Sequence, residues 1–199
     1  MENDQHRQDM EEMSPRFEAL ATRHEDGTAP RAVSAFNLFQ TPQHLAERIA
    51  DLIPAHAETI LEPSAGLGRI WQALENKRPH NRKTLVEVNA DCAAELYRMT
   101  EGKNAHLLQQ DFLTMNPEEW SFDAVAMNPP FHMRSDIAHI KHALKFLNSG
   151  GVLVAIAMAG RKREQELKHL AEYWEELPAG SFKSEGTRVD TVIMRIRKA

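Results

Sequence analysis

From residue 59 to residue 158, short runs of branched and apolar residues alternate with amphipathic stretches, and this alternation constrains the fold more than any other feature. Strands buried on both faces read as continuous apolar runs, and parallel neighbours need a crossover that is usually helical, so the pattern specifies βαβ units. The predicted strands are Thr59 to Leu61, Lys83 to Val88, Ala105 to Gln109, Phe122 to Ala126 and Val152 to Met158. The helices between them are expected to begin near Thr41, Leu67, Asp91, Asp136 and Arg161. Near the end the rhythm breaks. Gly180 to Lys183 and Val189 to Ile196 read as strands joined by Ser184-Glu185-Gly186-Thr187, too close together for a crossover helix and therefore an antiparallel hairpin. The expected fold is α/β, a seven-stranded, mostly parallel, doubly wound sheet with helices on both faces.

At 199 residues and 42% hydrophobic content, the chain can bury the core of one ordinary domain. Cys92 is the sole cysteine, and no apolar run is long enough to cross a bilayer, so a soluble protein of a reducing cytoplasm is expected, with no membrane partner. Charge is uneven: residues 1 to 30 hold eight Asp or Glu against three Lys or Arg, and the remainder balances at 21 of each. Residues 1 to 30 read as an acidic, mobile tail closing in Asp26-Gly27-Thr28-Ala29-Pro30, and residues 31 to 199 as the folded domain. The neutral body counts against tight autonomous binding to nucleic acid, where phosphate neutralisation supplies much of the affinity.

Leu61-Glu62-Pro63-Ser64-Ala65-Gly66-Leu67-Gly68 places small residues after an apolar strand and before a helical pattern. Gly66 and Gly68 allow a sharp turn and close approach of a ligand to the backbone, beside the free N–H groups of a helix start. Alone, such a G-x-G is also an ordinary strand-to-helix turn. About 20 residues on, the next strand ends in Val86-Glu87-Val88-Asn89, where an acid such as Glu87 can accept from both hydroxyls of a ribose. The plain alternative for Glu87 is a solvated strand-end carboxylate. After the third strand, Asp111 could accept from an adenine amino group and Phe112 could stack on the ring. The position that a dinucleotide turn gives to its third glycine is held by Trp71, which argues against NAD.

Asn128-Pro129-Pro130-Phe131 follows the fourth strand, at the carboxyl edge where open α/β sheets bind ligands. The lone pair of an exocyclic amine is delocalised into its ring, so methylating it requires acceptors that localise the pair on nitrogen. The Asn128 side-chain oxygen and the Pro129 carbonyl could each accept from the NH2 group. Pro129 and Pro130 fix φ and remove two donors, leaving a rigid segment of acceptors. Phe131 offers a surface for a base swung out of its stack. The plain alternative is a proline-terminated strand.

With these motifs in place, the chain resembles the N6-adenine DNA methyltransferases, a group of class I, Rossmann-like enzymes dependent on S-adenosylmethionine. The resemblance spans roughly residues 36 to 197. It implies that Asn128, Pro129, Pro130 and Phe131 bind the flipped adenine, and that the run Glu62, Pro63, Ala65, Gly66 and Gly68 forms the cofactor turn, with Glu87 and Val88 and then Asp111 and Phe112 further along the cofactor. Upstream, Thr41-Pro42 matches a Thr-Pro segment that in the family contacts the methionine part of the cofactor. As local structure the same pair reads as a helix N-cap followed by proline at the first helical position. The chain departs from the family in having no stretch long enough for a target-recognition region, so specificity is expected to be weak or supplied by a partner subunit.

Two rivals share the tetrapeptide. Asn128 to His132 also resembles ribosomal RNA guanine-N2 methyltransferases, although Ser64-Ala65-Gly66 fits the DNA group better; protein glutamine methyltransferases usually carry Tyr where this chain has Phe131. A non-catalytic subunit that binds cofactor or nucleic acid is the reading from another class. DNA is the preferred partner over RNA. His132, His139 and His142 lack a further convincing ligand, so no metal is expected. Arg161-Lys162-Arg163 suits either a phosphate contact or a solvated charge run. Trp71, Trp120 and Trp174 read as packing residues.

Overall fold

The structure, a computed structural model, describes residues 40 to 199. The acidic tail and the proposed domain start at residue 31 lie outside the described residues. Seven strands form one sheet: β1 (Thr59–Pro63), β2 (Arg82–Glu87), β3 (Ala105–Gln109), β4 (Phe122–Met127), β5 (Leu147–Met158), β6 (Ala171–Glu176) and β7 (Thr191–Arg197). Their order is β3-β2-β1-β4-β5-β7-β6. The first five strands pair in parallel, and β7 runs antiparallel to both β5 and β6. The α-helices among the described residues are α1 (Gln43–Leu52), α2 (Arg69–Lys77), α3 (Ala90–Thr100), α4 (Ser135–Ala143) and α5 (Arg161–Leu167). None is long and apolar enough to cross a membrane.

The strands alternate their side chains between two covered faces, as the period of two requires. Ile60, Ala124, Ala126, Val152, Val154 and Ile193 pack with Leu45 and Ile49 of α1 and Leu74 of α2. Their sequence neighbours Leu61, Val125, Leu153 and Val192 turn to the other face, toward Ile140 and Ala143 of α4 and Leu167 of α5. The sheet is therefore doubly wound, as the apolar runs predict.

The hairpin was expected in the wrong place. Its first strand is β6, not Gly180 to Lys183. Helix α5 ends at Leu167, a 3-10 turn covers Lys168–Leu170, and the chain then enters the sheet. Gly180 to Lys183 instead forms consecutive turns, with Ser181 N–H donating to the Pro178 carbonyl and Lys183 N–H to that of Gly180. Turns satisfy these amides locally, and Phe182 plugs the core from the loop. Strand β5 also begins five residues before its predicted start, because Asn148 to Gly151 form an irregularity within it rather than a turn before it.

Asp123 fixes the amino edge of the sheet. Its Oδ2 accepts from Glu58 N–H (3.0 Å), Thr59 N–H (3.0 Å) and the Thr59 hydroxyl (2.9 Å), and its Oδ1 from Asn148 Nδ2 (2.9 Å). Burial acts to raise its pKa, but the bonds from Asn148, Thr59 and Glu58 prevail and lower it from 3.8. A depressed carboxyl stabilises the fold above its unfolded pKa and loses that contribution as pH falls through the folded value. Asp123→Ala is therefore expected to cost about 1–3 kcal/mol near neutrality. In urea unfolding, the gap from wild type should narrow as pH falls below 3.8.

Candidate active site

A cleft of about 430 Å³ opens at the carboxyl edge, where the segments following β1, β2, β3 and β4 converge. The turn after β1 is strongly bent: Ser64, Gly66 and Gly68 all have positive φ, at 59°, 57° and 77°. Gly66 N–H donates to Glu87 Oε2 (2.7 Å), so the acid ending β2 holds the turn, and Asn89 N–H donates to Glu87 Oε1 (2.8 Å). Gly68 faces away from the cleft, and a Cβ there would lie 2.7 Å from Leu96 Cδ2 on α3. Its glycine serves the turn and the seating of α3, while Ala65, Gly66 and Leu67 line the cavity. Pro42 and Pro63 do not line it.

Glu62 and Glu87 are both buried at this edge. Among the described residues, Glu62 Oε2 has no hydrogen-bond partner. Burial and then the neighbouring Glu87 carboxylate raise the Glu62 pKa well above 4.5, with partial opposition from a backbone bond at Trp71. Over the range between 4.5 and that raised value, the folded chain keeps a proton that the unfolded chain has released, so stability falls as pH rises. Glu62→Gln removes this penalty. Without ligand, the variant is expected to melt above wild type by a margin that grows as pH rises above 4.5 in calorimetry.

Across the cleft, β4 delivers Asn128. Asn128 Nδ2 donates to Thr41 Oγ1 (3.1 Å), while Asn128 Oδ1 is buried and has no partner among the described residues. Thr41 was expected to cap α1. The N-cap is instead Pro42, with no side-chain cap bond, and the Thr41 hydroxyl is taken up by Asn128. Pro129, Pro130 and Phe131 continue the wall. Phe131 is only 8% exposed, and its ring meets Phe182 edge-on at 6.2 Å, so it is a packed wall rather than a free platform.

Val88, 65% exposed, lines the cleft beyond Glu87. Asp111 Oδ1 accepts from Leu113 N–H (2.9 Å) and so starts a short 3-10 turn. Phe112 lines the cleft while packing on Phe146, His139 and His142. All four catalytic candidates therefore gather in one cavity with Thr41, Glu62, Ala65, Gly66, Glu87, Val88, Asp111 and Phe112.

Several cleft residues were not anticipated. Arg69 Nε donates to Gln40 Oε1 (2.8 Å), and both line the cavity. Ser135 and His139, four apart on α4, also line it, and His139 Nδ1 donates to the Ser135 carbonyl at 2.8 Å. Helical spacing gave the only signal for that pair. Among the described residues, no group of His, Cys, Asp or Glu could hold a metal ion. The basic run at α5 divides: Arg163 is bidentate with buried Asp136 (3.0 Å each), Lys162 pairs with Glu166 (2.8 Å), and Arg161 is exposed.

A seven-stranded sheet with this order and a cleft at the carboxyl ends of β1, β2, β3 and β4 define an open α/β protein whose ligand crevice lies where the strand order reverses. Residues 38–182 match the methyltransferase small domain family, and the chain belongs to that family. S-adenosylmethionine is accordingly its cofactor, and the cleft suits it: two buried acids line it, Glu62 with an unpartnered oxygen and Glu87, and a ligand that carries positive charge would offset them. No curated protein sequence matches significantly. Among solved structures, the fold is similar to the 23S rRNA methyltransferase ErmE, with a TM-score of 0.61 at 21% identity, covering 81% of this chain and 70% of that one. It is also similar to PH1948 from Pyrococcus horikoshii, described as a putative RNA methyltransferase, with a TM-score of 0.62 at 17% identity over 91% and 96%. A third similar structure is the plantazolicin methyltransferase BpumL in complex with SAH, with a TM-score of 0.56 at 10% identity over 80% and 83%.

Proposed function

We propose that the chain transfers the methyl group of S-adenosylmethionine to the exocyclic amine of a nucleobase, with N6 of adenine in DNA as the leading acceptor. The observation that carries this reading is the buried, unpartnered Oδ1 of Asn128. A buried acceptor without a donor costs free energy, and an incoming NH2 group would supply the missing donor. With the adjacent Pro129 carbonyl, two acceptors can engage both amine hydrogens and leave the nitrogen lone pair directed at the methyl. A carbonyl or ether acceptor would offer Oδ1 no hydrogen.

When bound, the cofactor supplies an electrophilic methyl on a sulfonium. In this reading Glu87 accepts from the ribose hydroxyls through its remaining lone pairs, and Val88 and Phe112 flank the adenine ring, with Asp111 at its amino group. Ala65 and Gly66 allow close approach of the backbone, and Glu62 balances the charge of the methionine end, near Thr41. Phe131 bounds the acceptor base. Sequence specificity that is weak or supplied by a partner subunit belongs to this reading. An RNA acceptor is the second reading, favoured by the descriptions of ErmE and PH1948 and by His132 directly after Phe131.

The test supplies methyl-labelled S-adenosylmethionine with single-stranded DNA, duplex DNA, RNA and protein in separate reactions. Label is expected in nucleic acid, and Asn128→Ala should lower transfer by about 10²–10³-fold with little change in cofactor affinity. Wild type that bound the cofactor but labelled no nucleic acid would refute the reading. Transfer that began only on adding a second subunit would favour the accessory role.

A further inference from the structure

The Gln40-Thr41 segment is fastened on both sides of the cleft. Arg69, the first residue of α2, holds Gln40 at 2.8 Å, and Asn128, at the end of β4, holds Thr41 at 3.1 Å. Thr41 is buried, and Asn128 Nδ2 is the one hydrogen-bond partner of its hydroxyl among the described residues. The hydroxyl does not cap α1, where Pro42 occupies the N-cap and its carbonyl accepts from Leu45 and Ala46 N–H. A buried hydroxyl with a single side-chain partner is a specific pairing.

The pairing matters because a primary amide is close to symmetric in shape but opposite in polarity at its two ends. The terminal torsion of asparagine is broad, so the backbone of β4 does not choose which end faces the ligand. Residue 129 is proline and offers no N–H to help. The Thr41 hydroxyl accepts from Nδ2 and so holds that end of the amide. Only the observed arrangement, with Nδ2 on Thr41, leaves Oδ1 as an acceptor for an amine.

We infer that Thr41 is a positioning residue that clamps the Asn128 amide by its Nδ2, leaving Oδ1 presented to the acceptor amine. The inference rests on the amine-methylation reading and adds to Thr41 a role distinct from cofactor contact. The tie between Gln40 and Arg69 fastens the clamp to the helix that follows the glycine turn, so the cofactor side of the cleft supports the orientation of the substrate side.

The test uses the full chain with Thr41→Val, which keeps the shape but removes the acceptor oxygen, and Thr41→Ser, which restores it. Side-chain amide NMR of ¹⁵N-labelled protein identifies the Asn128 NH2 pair by its loss in Asn128→Asp. That pair should shift and broaden in Thr41→Val and return toward its wild-type position in Thr41→Ser. Single-turnover methyl transfer at saturating S-adenosylmethionine, to whichever nucleic acid wild type labels, should fall about tenfold in Thr41→Val and recover in Thr41→Ser. Unchanged Asn128 signals in Thr41→Val would overturn the inference, as would a loss confined to cofactor affinity. If the signals moved as expected while wild type methylated no nucleobase, the clamp would stand and the proposed acceptor would fall.

Discussion

The parallel pairing of β1 with β4 is the constraint on which the site depends. Leu61 lies beside Val125 and Ile60 beside Ala124, so the two chains leave the sheet at the same edge as neighbours. One then enters the glycine turn and the other enters Asn128 to Phe131. Because β2 lies on the far side of β1, this is also where the strand order reverses and a crevice must open. The glycine turn and the Asn128 to Phe131 segment are thus brought face to face by backbone pairing alone, before any side chain contributes.

Side chains then give the two walls different chemistry. On one wall Glu62 and Glu87 are buried close enough for the second carboxylate to raise the pKa of the first, an arrangement unfavourable until a positive ligand arrives. On the other, Asn128 offers an unpartnered acceptor, and two prolines deny the segment donors. In the proposed reading, a cationic group donor on the first wall and a hydrogen-rich nucleophile on the second would satisfy both deficits.

How far the sequence revealed this depended on whether a signal was local. The central strands were legible because continuous apolar runs persist wherever both faces are covered, and the turn was legible because Gly66 and Gly68 adopt backbone angles that suit glycine. Strand β6 was not: Ala171-Glu172-Tyr173-Trp174-Glu175-Glu176 lies at the sheet edge, carries acids, and extends a helical pattern without a breaker. Phe182 misled in the opposite sense, since its burial comes from a loop rather than a strand. The bond between Thr41 and Asn128 was hidden because capping rules see only neighbours in sequence, whereas the two residues lie 87 apart. Lys83 was placed in a strand, but its burial there depends on Glu75 (2.8 Å) and the carbonyls of Arg78 and Asn81, which only the packed structure assembles.

The central claim is that the acceptor atom is an exocyclic nitrogen presented to Asn128 Oδ1. Its most direct test digests nucleic acid methylated by the protein to nucleosides and locates the added methyl by mass spectrometry against synthetic standards. The account predicts an N-methylated exocyclic amine, N6-methyladenine first among them. Methyl found on a ring carbon, a ring nitrogen or a ribose oxygen would contradict it.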